Sequence, residues 1–270
     1  MSELTMAFVL ASRRLFPGLS VVLLVTWVTS AALTIAWCAS MSGMGGMPMP
    51  GGWTMSMTWM RMPGQSWPGA AASFIAMWLV MMVAMMLPAI APMLTRYQRA
   101  VRMAAEAHLG RLTALVGAGY FVVWTLFGLV AFPLGVALAE IEMRAPAVAR
   151  AVPAAVGVAV LIVGVLQFTE WKAHHLACCR GEQEHAPQTA DSGTAWRHGV
   201  RLGLDCFYCC GNLMALLLVG GVMDPGAMAL VTIAITFERL APSGQRAARE
   251  VGVAVVGVGL LLIARAAGPG

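Results

Sequence analysis

From residue 19 to residue 266 the chain is a succession of apolar runs, most of them near the 20 or so residues an α-helix needs to cross the hydrocarbon layer of a bilayer. The runs are rich in Gly and Ala and do not alternate. Lipid offers their backbone no partner outside the segment, so they suit helices rather than barrel strands. Composition agrees: 60% of residues are hydrophobic and 11% charged, with a mean hydropathy of +0.79, whereas a soluble domain carries roughly 25% charge. The expected fold class is therefore an all-α polytopic transmembrane helical bundle, residues 1–270 forming a single integral membrane domain. The net charge of +5 does not point to nucleic acid, because the basic residues lie between the apolar runs, where they orient the chain.

A short head with Arg13 and Arg14 precedes a first span at 19–40, which reads as an uncleaved helix, since only a weak Ala-Ser pattern follows it. Residues 41–67 form a Met/Gly/Pro-rich loop. Further spans are expected at 70–94, kinked or ended near Pro88 and Pro92, then at 112–138, 152–170, 203–222, a short one at 226–240, and 250–266. That makes about seven, with a re-entrant pair as the alternative for the last two. A polar stretch containing His and Cys, 171–201, separates the fourth span from the fifth. With the head in the cytoplasm, most of the 17 Lys and Arg fall on the cytoplasmic side, as the positive-inside rule requires. The Met loop is then periplasmic and the His/Cys stretch cytoplasmic.

Soft ligands are concentrated in a few places. Of 21 methionines, eight stand in the loop at 41–67 and six between residues 77 and 93. On a helix Met77, Met81 and Met85 recur at i, i+4 and i+8, and Met82 and Met86 form a second column beside them. Thioethers are soft and uncharged; they favour Cu(I), and a column of them can pass an ion along without burying a fixed charge. Adaptable apolar packing explains the same column. In the loop, Met44, Met47 and Met49, and Met55, Met57, Met60 and Met62, are close enough along the chain to wrap two or three sulfurs around an ion. A loop rich in Met by drift would have the same composition.

The six cysteines do not resemble a disulfide framework, because five of them fall in one region. Cys206, Cys210 and Met214 at i, i+4 and i+8, with Cys209 at i+3, put first-turn thiols and a deeper thioether on one helix face beside Asp205. The Cys-x-x-Cys spacing serves a soft metal and equally a thiol redox couple. His174, His175, Cys178 and Cys179 fall within six residues, where helical spacing pairs His174 with Cys178 or His175 with Cys179. This stretch would also accept zinc. Cys38 reads as a packing residue. Glu238 is an acidic group in apolar surroundings and so a functional candidate, with Asp205, for charge compensation. Its plainer reading is an ion pair with Arg239 or a cap at the membrane surface.

The run Met77-Trp78, Met81-Met82, Ala84-Met85-Met86-Leu87-Pro88 resembles the signature of a bacterial family labelled predicted metal-binding integral membrane proteins, a domain of unknown function. Lys172, Cys179-Arg180, the cluster Cys206, Cys209 and Cys210 with Leu213-Met214, Gly221-Val222-Met223 and Glu238 extend the resemblance over roughly residues 40–245. His175 stands where that pattern has a cysteine. The resemblance implies metal binding in a multi-pass protein and leaves substrate and direction open.

The expectation is a protein of the bacterial inner membrane that binds copper, as Cu(I), for transfer across the membrane or delivery at it, and is not an enzyme. Its partners would be the lipid bilayer, the ion, and a copper chaperone or membrane-complex subunit; an oligomer is compatible, and nucleic acid is not a partner. There is no Gly-x-x-x-x-Gly-Lys-Ser/Thr loop, so transport would be passive or coupled to another gradient. Two other readings stay open. One is a membrane thiol-disulfide oxidoreductase on Cys206 with Cys209 or Cys210, which leaves the methionines idle. The other is a metal-bearing assembly or structural subunit of a larger membrane complex.

Overall fold

The apolar runs are helical in the computed structural model, which describes residues 17–43, 45–62, 64–105, 108–180 and 191–267. In chain order the helices are α1 Pro17–Gly43, α2 Trp67–Ala105, α3 Leu109–Arg144, α4 Pro146–Leu166, α5 Glu170–Cys179, α6 Ser192–Gly220, α7 Pro225–Leu240 and α8 Gly244–Ala267. Between α1 and α2 a short antiparallel hairpin pairs β1, Met47–Met49, with β2, Trp53–Met55, and a single 3-10 turn follows at Met57–Trp59. Among the described residues six helices, α1 to α4 with α6 and α8, are long and apolar enough to cross a membrane. Their outward faces expose side chains such as Val25, Leu134 and Leu260 by more than half. So much apolar surface fits lipid and not water. The chain is an all-α, multi-pass bundle.

About seven spans are expected and six helices qualify. The difference is α7, whose 16 residues make about 24 Å of helix against a hydrocarbon layer of about 30 Å. Just before it, the Met223 sulfur lies 4.0 Å from Cys38 near the end of α1, and just after it Gly244 abuts Arg180 at the end of α5. The polar stretch at 171–201 also folds further than expected. Thr169 caps α5, and the Asp191 carboxylate accepts the N–H groups of Gly193 and Thr194 at 2.8 and 3.0 Å, starting α6 at Ser192 rather than near residue 203. The head with Arg13 and Arg14 lies outside the described residues.

Pro88 and Pro92 do not end α2, which runs through both. Proline 88 has no N–H for the carbonyl of Ala84. That carbonyl instead accepts Trp27 Nε1 from α1 at 3.0 Å. The same device recurs in α4, where Pro153 frees the carbonyl of Ala149 and Trp53 Nε1 of the hairpin donates to it at 2.8 Å. An unmatched carbonyl in lipid costs several kcal/mol, so each indole both satisfies a group and docks a neighbouring element.

Small residues bring α3 and α6 together. Gly119 lies on the backbone of Trp196 and Val200, Gly199 on the backbone of Val116, and Gly203 against Tyr120 and Val123, so a methyl group at any of these would overlap its neighbour. Beside this seam Trp78, Tyr120 and Trp124 have no exposed surface, and Trp78 Nε1 donates to the Trp124 carbonyl at 2.9 Å. At one end of the bundle Arg96 donates to the Arg180 carbonyl at 2.6 Å and Tyr97 stacks on His198. This basic end is opposite the hairpin end, where Trp59 packs on Phe74 near the start of α2.

Candidate metal centre

Four of the six cysteines meet where α5, α6 and α7 converge. On α5 the spacing i, i+4, i+7 turns Lys172, Leu176 and Cys179 into the bundle and leaves His174 and Cys178 on its outer side. On α6 the buried stripe is Cys206, Cys209, Cys210, Leu213, Met214 and Leu217, none more than 1% exposed. The last turn of α7 supplies Glu238 and Arg239, both buried.

Arg239 Nη2 donates to Cys179 Sγ at 3.0 Å. Cys206 and Cys209 also hydrogen-bond to Cys179, the sulfurs of Cys209 and Cys210 lie 3.1 Å apart, and the Tyr120 hydroxyl donates to Cys206 Sγ at 2.9 Å. Burial pushes the Cys179 thiol up, but the hydrogen bonds from Cys206 and Cys209 and the Arg239 charge together bring it well below its ordinary value. Next to it Lys172 Nζ lies 2.7 Å from Glu238 Oε2, with neither side chain exposed. Gln167 Nε2 donates to Glu238 Oε1 at 3.0 Å, and Lys172 Nζ donates to the Cys209 carbonyl. Arg180 closes the site from the basic end by donating to the carbonyls of Glu238 and Arg239 at 3.0 and 2.9 Å, which caps α7. Lys172 is thus paired with Glu238 and Arg239 with the Cys179 sulfur, the kind of pairing that buried charges need.

Glu238 therefore pairs with Lys172 across helices and not with its neighbour Arg239, because successive residues of a helix point in different directions. The α6 thiols sit in mid-helix instead of in a first turn, a consequence of the earlier start at Ser192. His175 does not join Cys179. Its ring stacks on Tyr208 at 5.0 Å and meets Trp171 at 4.7 Å, with Asp205 close enough to interact with it electrostatically. Burial first, and then the charge of His174, lower His175 from its ordinary value. His174 and Cys178 do pair, Nε2 to Sγ at 3.9 Å, on the outer side of α5.

The five α2 methionines, Met77, Met81, Met82, Met85 and Met86, are all buried and share one continuous core with the thiols and Met214. Met47, Met49 and Met55 belong to a separate small cluster on the hairpin. Met57, Met60 and Met62 are half-buried and not part of it, and Met44 lies outside the described residues. The sequence offers Arg239 only as an ion-pair partner of Glu238 and Lys172 only within the family resemblance, and it gives no role to Tyr120 or Gln167. Its place seven residues before Cys179 on one helix face was a local signal for Lys172. Nothing local marks Tyr120, which reaches Cys206 from α3.

Among the described residues no three His, Cys, Asp or Glu side chains are already arranged to hold a metal ion, because the sulfurs touch one another instead of standing apart around a common point. The donor chemistry is nonetheless soft, and the pKa of one member, Cys179, is lowered, both of which suit a thiophilic ion. Over residues 75–262, more than two thirds of the chain, the sequence matches a family model described as PpoB2, copper chaperone. The matched segment holds the α2 methionines and all four clustered thiols and leaves out the hairpin. No curated protein and no solved structure matches.

Proposed function

The chain belongs to the PpoB2 copper-chaperone family, and from that premise we propose that it carries copper as Cu(I) at or across the bacterial inner membrane, bound by Cys179 with Cys206, Cys209 and Cys210. The observation that supports this most is the buried Cys179 sulfur, which accepts from Arg239 and is hydrogen-bonded to the neighbouring thiols. Charge explains why such a site suits a monovalent ion. With Cys179 as the one thiolate of the free form, Cu(I) shared by it and a second cysteine that releases its proton leaves the net charge of the group unchanged. Lys172 and Arg239 then balance the bound and free forms alike. Zn(II) would need three of the thiols deprotonated, with two protons released, to reach the same net charge, so the proton count per bound ion separates it from Cu(I).

In this reading the basic end faces the cytoplasm, by the positive-inside rule. The buried methionines of α2 offer uncharged sulfurs along the core for passage toward the hairpin end. The test is anaerobic Cu(I) titration of the full chain in mild detergent against a competing chelator, with elemental mass spectrometry and a pH-stat. Wild type should retain copper with about one proton released per thiol-bound ion, and the variant Cys206→Ser/Cys209→Ser/Cys210→Ser should lose it. No metal under reducing conditions, with the cysteines cycling through a reversible disulfide, would sink the copper reading and favour a membrane thiol oxidoreductase.

A further inference from the structure

We infer that the face of the β1–β2 hairpin carrying Met47, Met49 and Met55 is a second site for a soft monovalent ion, Cu(I) or Ag(I), separate from the thiol cluster. The register pairs Met47 with Met55 and Met49 with Trp53. Directly opposed residues of an antiparallel ladder share a face, with Cβ atoms about 4.5–5.5 Å apart, and residues two apart in a strand share it too. Three thioethers and one indole therefore converge on one side. Pro48 and Thr54 take the other side and are exposed.

The face is built and anchored. Gly51 and Gly52 turn the chain at φ +105° and +75°, which only glycine adopts without strain, and this fixes the register. Gly51 lies on the backbone of Arg150, and Trp53 Nε1 is tied to the carbonyl that Pro153 frees. Met49 and Met55 are 8% and 3% exposed and Met47 is half-buried, so two of the methionines are buried and Met47 keeps part of its surface open to an approaching ion. Their companions in the cluster are Ala139, Ala149, Trp53 and Trp59, with no Leu, Ile or Val. Strand faces chosen for packing favour β-branched and aromatic residues, and methionine is not among them. Thioethers need no deprotonation, and the Trp53 indole can face a cation with its negative ring surface.

This regroups the loop methionines: Met47 and Met49 act with Met55 across the turn, and Met57, Met60 and Met62 stand apart. The hairpin lies outside the segment matched by the family, so membership does not assign this site. The inference rests on the copper reading for the natural ion, and a silver titration separates the two. Ag(I) binding to the full chain in detergent is measured by calorimetry and elemental analysis for wild type and for Met47→Leu/Met49→Leu/Met55→Leu. Leucine nearly conserves volume, so the hairpin should stay packed. The triple variant should lose one ion per chain and keep its thiol-bound ion. Met47→Leu alone, at the half-buried position, should weaken the hairpin ion about tenfold or more.

The Cys206→Ser/Cys209→Ser/Cys210→Ser variant should keep the hairpin ion, with affinity unchanged between about pH 7 and about pH 5, because no proton competes for a thioether. That last result together with an absent thiol-dependent ion in wild type would defeat the thiol reading and leave the hairpin site standing. Wild-type stoichiometry in the hairpin triple variant overturns the inference. So does loss of the ion in Met57→Leu/Met60→Leu/Met62→Leu with the hairpin intact.

Discussion

Lys172→Met removes the ammonium that lies 2.7 Å from Glu238 Oε2 and keeps a side chain of similar reach. Glu238 would then hold a fully buried carboxylate with Gln167 Nε2, at 3.0 Å, as its remaining partner, and the Cys209 carbonyl would lose a donor. Leaving one member of a buried ion pair unpaired costs about 3–5 kcal/mol, which is roughly two to three and a half decades in the folded-to-unfolded ratio. Removing both charges is a different perturbation. In Lys172→Met/Glu238→Gln no charge is stranded, and neutral groups of similar shape are often as stable as a buried pair. The double variant should therefore lie within about 1 kcal/mol of wild type, and the cycle should report a coupling of at least about 2 kcal/mol. Reversible unfolding in mixed micelles, followed by tryptophan fluorescence and circular dichroism, reads all four species. A loss below about 1 kcal/mol in Lys172→Met, or a double variant whose loss is the sum of the two single losses, would refute the buried pair.

Other outcomes follow from the same packing. Trp27→Phe should destabilise by about 1–2 kcal/mol in wild type and by almost nothing in a Pro88→Ala background, where the Ala84 carbonyl regains a helical N–H; equal losses in both would break the link between proline and indole. Gly199→Ala should cost about 1–3 kcal/mol because its methyl meets the backbone of Val116, while Gly257→Ala on α8, with nothing within 4 Å, should be neutral or slightly stabilising. The same unfolding assay checks both, and similar effects at the two sites would contradict the α3–α6 seam. His175 has its folded value lowered from 6.5 by burial, so its contribution is complete above about pH 6.5 and is lost as pH falls through the folded value. His175→Phe, which keeps a ring on Tyr208, should flatten the acid side of a Tm-against-pH curve; an unchanged slope would mean that another group titrates.

Helix positions were readable because lipid makes each spanning segment satisfy its own backbone, so length and apolarity in the sequence suffice. The exception, α7, is short enough that counting residues alone puts it in doubt. Helical period also places Cys206, Cys209, Cys210 and Met214 on one stripe, and the structure buries that stripe. A proline announces a freed carbonyl four residues earlier. Its donor is another matter, since Trp27 is 57 residues from Ala84 and Trp53 is 96 from Ala149.

Sequence by itself thus determined the class of fold, most of the helices and the soft character of the ligands. Tertiary structure decided which ligands act together: that Cys179 joins the α6 thiols while Cys178 faces outward, that Lys172 and not Arg239 answers Glu238, and that Met55 faces Met47 across a turn. The reason is geometric. Periodicity along one element fixes the direction in which a side chain leaves it, but the partner it meets depends on which helices are adjacent and at what height. That is set by contacts such as Gly199 on Val116, between residues far apart in the chain.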